Sequence, residues 1–99
     1  MRAMKATRPF YDKVVFPDGA VVEMVIWRVP KPLSPSTHGL KFRLFYGLEG
    51  RRIVGCDNEQ GKGDHRHFRG RERAYRFVSV EKLMADFLAD IDRIRGGES

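Results

Sequence analysis

The residues best able to do chemistry stand close together. Asp57, Glu59, Lys62, Asp64, His65, Arg66, His67, Arg69, Arg71, Glu72, Arg73 and Tyr75 fall within one short stretch, with Gly61, Gly63 and Gly70 between them. If the segment from His65 to Arg69 is extended, alternation puts His65 and His67 on one face and Arg66 on the other. Asp64, at the mouth of that strand, is placed to hold or polarise an imidazole. Imidazoles exchange protons near neutrality, and arginines grip phosphate through a planar fork. The combination suits acid–base work on a phosphate ester. The same residues also fit a solvated hairpin whose opposite charges pair with each other.

Other chemistries are less well served. Asp57, Asp64, His65 and His67 form an acceptable ligand set for zinc or manganese. Residues 57–76, however, carry six basic groups against four acidic ones, and a dication is repelled there. Gly61-Lys62-Gly63 lacks both the glycine spacing and the following Ser or Thr of a phosphate-binding loop. Cys56, the only cysteine, ends an apolar strand and reads as core, and it excludes any disulfide framework or multi-cysteine zinc site. His38, alone in a Pro/Ser loop, reads as solvated. Trp27, Phe42, Phe45 and Tyr46 could stack on bases, but on alternating strands they read first as core or helix-facing residues.

Charge points the same way as the polar stretch. Of 99 residues, 19 are basic and 13 acidic, a formal net charge of +6. The excess lies in residues 1–56 (ten basic, four acidic), whereas residues 77–99 carry three basic and five acidic groups. An arginine-heavy excess favours anionic partners, nucleic acid among them. No apolar run approaches the roughly 18 residues of a membrane span, and the start lacks the apolar core of a signal peptide, so a cytoplasmic protein without membrane contact is expected.

The elements that must hold these residues follow from periodicity. Residues 1–9 read as a loose basic lead-in. Phe10–Phe16 and Ala20–Val29 are strand-like and flank the turn Pro17-Asp18-Gly19. Lys31–Gly39 is a loop, expected to be exposed and mobile. Lys41–Leu48 alternates Phe42, Leu44 and Tyr46 against Lys41, Arg43, Phe45 and Gly47, and Glu49-Gly50 turns it into Arg52–Cys56. Asp57–Asp64 is too polar to supply core. His65–Arg69 and Arg73–Val78 make a last short hairpin. Then Val80, Leu83, Met84, Phe87, Leu88, Ile91 and Ile94 form one apolar helical stripe, capped by Ser79 and closed by Gly96-Gly97, with Asp86, Asp90 and Arg93 opposite. The expected fold is a single α+β domain over 1–99. A twisted antiparallel sheet of five to six strands spans 10–78, and one amphipathic helix, 79–95, packs on one face.

The run Asp57-Asn58-Glu59-x-Gly61-Lys62-Gly63-Asp64-His65-x-His67, followed by Gly70-x-Glu72, Tyr75-x-Phe77, Ser79 and Asp86-Phe87, resembles the TumE family of bacterial type II toxin–antitoxin toxins. Val22–Pro30 resembles that family's early strand, and the likeness covers roughly residues 20–95. The resemblance implies a small cytoplasmic toxin encoded beside an antitoxin, often one with a helix-turn-helix domain, that neutralises it by direct contact. Small toxins of this type commonly act as ribonucleases on messenger RNA, frequently at the ribosome.

The residues allow metal-independent RNA cleavage without a cofactor. A base must take the 2′-hydroxyl proton, cations must steady the phosphate, and an acid must protonate the leaving oxygen. His65 and His67, with Glu72 as a substitute base and Tyr75 as a second proton donor, are the catalytic candidates. Lys62, Arg66, Arg69, Arg71 and Arg73 are the phosphate-binding candidates, and Asp57 and Asp64 the orienting ones. Two other functions fit the same residues: a non-catalytic basic module that binds RNA or protein, and a metal-dependent hydrolase using Asp57, Asp64, His65 and His67. A homodimer is compatible with the sequence.

Overall fold

The computed structural model describes residues 10–97; the basic lead-in expected at 1–9 lies outside them. Six strands, β1 (Phe10–Val15), β2 (Val21–Arg28), β3 (Leu40–Leu48), β4 (Arg51–Glu59), β5 (Gly63–Phe68) and β6 (Arg71–Ala74), form one open antiparallel sheet in sequence order. One helix, α1 (Val80–Arg95), follows. This is the expected α+β architecture. Among the described residues, no helix is long and apolar enough to cross a membrane.

The core is written in two periodicities. Alternate residues of the three central strands point to the helix: Val22, Met24 and Ile26, then Phe42, Leu44 and Tyr46, then Val54 and Cys56, all buried. From the helix, Leu83, Phe87 and Ile91 recur at four-residue steps and meet them, each no more than 3% exposed. Burying side chains of this size contributes roughly 1.5–3 kcal/mol each, so this interface is the main source of stability. Ser79 starts the helix by accepting a hydrogen bond from the Lys82 backbone N–H. Beyond the helix C-terminus, Gly97 takes the left-handed conformation.

Several expectations are corrected. β4 does not stop at Cys56 but runs on to Glu59, and its polar continuation does supply core. Asn58 is fully buried: its Oδ1 accepts from Phe42 N–H (3.0 Å) and its Nδ2 donates to Leu40 C=O (2.9 Å). An amide side chain that satisfies two strand groups sits in a core as well as an apolar one. β6 covers Arg71–Ala74, whereas Tyr75–Val78 is an irregular link to the helix rather than strand. Asp90, expected on the solvent face, is 1% exposed. Leu88, expected in the stripe, is exposed.

The Pro/Ser loop is also tied down instead of standing free. Ser36 is buried and donates its hydroxyl proton to Asp64. His38 sits between Phe77 and Phe42 (ring centroids 4.1 and 5.8 Å away) and is 12% exposed at its side chain, not solvated. Leu40 N–H donates to His38 Nδ1 at 3.3 Å, which leaves Nε2 as the protonated nitrogen that donates to the Asp64 carboxylate at 2.9 Å. Gly61 N–H adds a bond to Ser34 C=O. Pro35 lies where a Cβ on Gly63 would be, at 3.1 Å, and Gly63 has φ +80°, so glycine is needed there twice over.

Candidate functional site

The sheet divides the candidate residues between its two faces. Register aligns Arg66 with Arg73 and Phe68 with Arg71 across β5 and β6. Those residues share the face on which α1 lies. His65 and His67, one position over, point to the uncovered face together with Glu72 of β6 and Asp57 of β4. The imidazoles do share a face, as alternation requires. Arg66, Arg71 and Arg73 do not share it.

On the helix side, β5 and β6 extend past α1 and leave a cleft between hairpin and helix. Arg66, Phe68, Arg69, Arg71, Arg73 and Arg93 line its volume of about 640 Å³. The Arg66 guanidinium is clamped by Asp90: Nε donates to Oδ2 at 2.8 Å and an Nη to Oδ1 at 2.7 Å. This bidentate bond raises the Arg66 pKa further above its ordinary value. Arg93 lies 3.9 Å from Asp90 and stacks over the Phe68 ring, its Cζ 4.7 Å from the centroid. The cleft thus gathers five guanidiniums, two of them within 4 Å of the buried Asp90 carboxylate. Arg69 enters from the β5–β6 turn, where it and Gly70 both have positive φ, the geometry of a two-residue hairpin.

Tyr75 belongs to the helix side as well. Its hydroxyl donates to Asp86 Oδ2 at 2.7 Å, and Lys82 holds both oxygens of the same carboxylate at 2.8 and 3.0 Å. Burial and then the Asp86 bond push the Tyr75 pKa up, whereas the Lys82 bond is the main cause that holds Asp86 below its ordinary value. Cys56, under the helix, is pushed up to about 12 by burial, so its thiol is no nucleophile near neutrality.

On the uncovered side, Arg52, Asp57, Glu59, Lys62, His65, His67 and Glu72 surround a polar cavity of about 240 Å³. His67 Nε2 lies 3.1 Å from Asp57 Oδ1. His65 Nε2 lies 2.7 Å from the Lys62 carbonyl oxygen, and its Nδ1 is 3.0 Å from Glu72 Oε2 without hydrogen-bond alignment. Arg52 reaches the second oxygen of Asp57 at 3.7 Å. Three carboxylates against Arg52 and Lys62 leave this cavity without a basic excess. Asp64 does orient an imidazole, but that of His38, on the helix side of the sheet. With Asp64 there, the four residues weighed as metal ligands do not converge, and among the described residues no group of three or more His, Cys, Asp or Glu could hold a metal ion.

Sequence reasoning therefore missed three participants. Arg93, expected on the solvent face, lines the cleft because the β5–β6 hairpin faces it, a placement that helical periodicity does not specify. Arg52, expected only as the start of a strand, lays its side chain along Gly55, the residue opposite His67. His38 had one available signal, the proximity in type of Ser36, His38 and Asp64, but no spacing linked them.

The family described as Toxin TumE matches residues 4–95, nearly the whole chain. No curated protein and no solved structure gives a match.

Proposed function

The chain belongs to the TumE toxin family, and from that premise we propose that it acts on RNA, gripping the phosphate backbone in the arginine cleft. The observation that carries this reading is the convergence of Arg66, Arg69, Arg71, Arg73 and Arg93 on one cleft. Guanidiniums bind phosphate through paired N–H groups, and such contacts supply most of the sequence-independent affinity for nucleic acid. Arg71 and Arg73 are exposed on the short edge strand β6, where a passing backbone meets them first. The toxin acts in the cytoplasm, on free or ribosome-bound RNA, and an antitoxin with a helix-turn-helix domain neutralises it.

Metal-independent strand cleavage is the second reading, and the Asp57–His67 pair favours it. A carboxylate that takes one imidazole N–H leaves the other nitrogen as an acceptor, which is the arrangement of a general base. His65, on the same face and held at Nε2 by the Lys62 carbonyl oxygen, is the proton donor of this reading. Glu72 contacts His65 and is the substitute base; Tyr75, bonded to Asp86 on the helix side, lies on the other face from this pair.

Binding and turnover are tested together with labelled RNA in EDTA. Arg71→Ala with Arg73→Ala should weaken binding at least tenfold and shallow the salt dependence by about 0.7 per lost contact; unchanged affinity overturns the cleft reading. His65→Ala with His67→Ala should abolish cleavage and leave binding intact. Undiminished cleavage would take the imidazoles out of the mechanism.

A further inference from the structure

The two faces are joined by a third concavity. A space of about 570 Å³ opens at the β5–β6 turn, between Leu48, Ile53 and Ile94, with Arg51, Arg52 and Arg69 on its walls. It shares Arg69 with the arginine cleft and Arg52 with the imidazole cavity. Arg69, beside the Gly70 turn, and Arg52 thus set the three spaces in series from the helix side to the uncovered side.

At the far end, Gly55 makes room for the Arg52 side chain. A Cβ on Gly55 would fall 2.8 Å from the Arg52 Cδ and 3.0 Å from the Leu44 carbonyl oxygen. With no side chain at Gly55, Arg52 lies flat on the sheet beside Asp57, and Gly55 is the register partner of His67. The last guanidinium of the path thus stands 3.7 Å from Asp57, the carboxylate that meets His67.

We infer that this path is the track of one single-stranded RNA, which is held in the cleft, bends round the β5–β6 turn and presents a phosphate to the imidazole cavity. The inference rests on the cleft reading and specifies its substrate as single-stranded. A duplex is too stiff to bend about one hairpin turn, whereas a single strand can follow a curved groove whose walls carry Arg69, Arg51 and Arg52 before it reaches the imidazole cavity. From strand spacing and rise, the path is on the order of 20 Å. That is about six nucleotides of stacked strand at about 3.4 Å each. An RNA shorter than this fills the cleft alone.

A length series separates the track from the cleft. An RNA of about four nucleotides and one of about twelve are titrated against the protein and against Arg51→Ala/Arg52→Ala, whose substitutions lie on exposed residues outside the cleft. The longer RNA should bind the protein at least tenfold more tightly than the shorter one. The double variant should lose most of that gain, with the slope of log K against log salt falling by about 1.4, and still bind the short RNA normally. A blunt duplex of the longer length should be indifferent to the two substitutions. If the short RNA binds but length and the double variant change nothing, the track is wrong and the cleft stands. If the short RNA fails to bind and Arg71→Ala/Arg73→Ala has no effect on the longer one, the cleft reading itself falls. Equal sensitivity of the duplex to the substitutions also overturns the single-strand assignment.

Discussion

Replacing Asp90 by asparagine should pull stability and RNA affinity in opposite directions. The carboxylate is 1% exposed and accepts two charge-assisted bonds from Arg66. Hydrogen bonds to charged groups contribute roughly 1.5–3 kcal/mol each, and breaking a fully buried pair costs about 3–5 kcal/mol. Here the cost is smaller, because the Arg66 side chain is 34% exposed and can rehydrate, and asparagine keeps one acceptor. A loss of about 2 kcal/mol follows. For a chain of this size that is a fall in Tm of about 8–16 °C. At the same time, one negative charge leaves a cleft of five guanidiniums, and RNA should bind several-fold more tightly at low salt, less so at high salt. Thermal unfolding followed by circular dichroism measures the first effect, and fluorescence anisotropy of labelled RNA the second. A Tm shift under about 2 °C would show that the pair does not brace the helix against β5. Weaker RNA binding in a folded variant would show that Asp90 serves the ligand by aiming Arg66 and not by sitting beneath it.

Four other outcomes are expected. Gly47→Ala should cost at least about 2 kcal/mol in urea unfolding, since its Cβ would fall 2.3 Å from the Arg51 carbonyl oxygen at the β3–β4 irregularity. Asn58→Leu should cost about 2–4 kcal/mol by the same measurement, because it strands the Phe42 N–H and Leu40 C=O inside the core. Cys56 should not react with a thiol reagent at pH 8 until the protein unfolds, its pKa standing at about 12. Asp86 has a folded pKa below its unfolded value, so its contribution to stability is present above about pH 4 and is lost as pH falls through the folded pKa. Asp86→Asn should therefore flatten the acid side of the stability–pH curve, as read by Tm between about pH 7 and pH 2.

The parts of this fold that announce themselves in sequence are those with a period. The helix stripe from Val80 to Ile94 and the alternation of Phe42, Leu44 and Tyr46 correspond to buried faces nearly residue for residue. Polar residues inside a regular element were harder to read, since burial of Asn58 and Asp90 depends on partners far away in sequence: Phe42 and Leu40 for one, Arg66 for the other. For the site, alternation correctly grouped His65 with His67 and set Arg66 apart. It said nothing about Arg73 and Arg71, because their faces depend on the register between β5 and β6, and the turn at Arg69-Gly70 fixes that register. The family resemblance drew on the same stretch and is independent of which face each residue occupies.

β1 is an outer strand with every residue exposed, Phe10, Tyr11, Val14 and Val15 among them. Such a strand invites a second copy to add itself edge to edge. Twofold antiparallel pairing keeps each side chain on its own face, so a pairing centred on either middle residue sets Asp12 against Asp12 or Lys13 against Lys13. Like charges directly opposite are repulsive. Two adjacent residues of opposite sign thereby discourage a second copy from closing onto this otherwise sticky border.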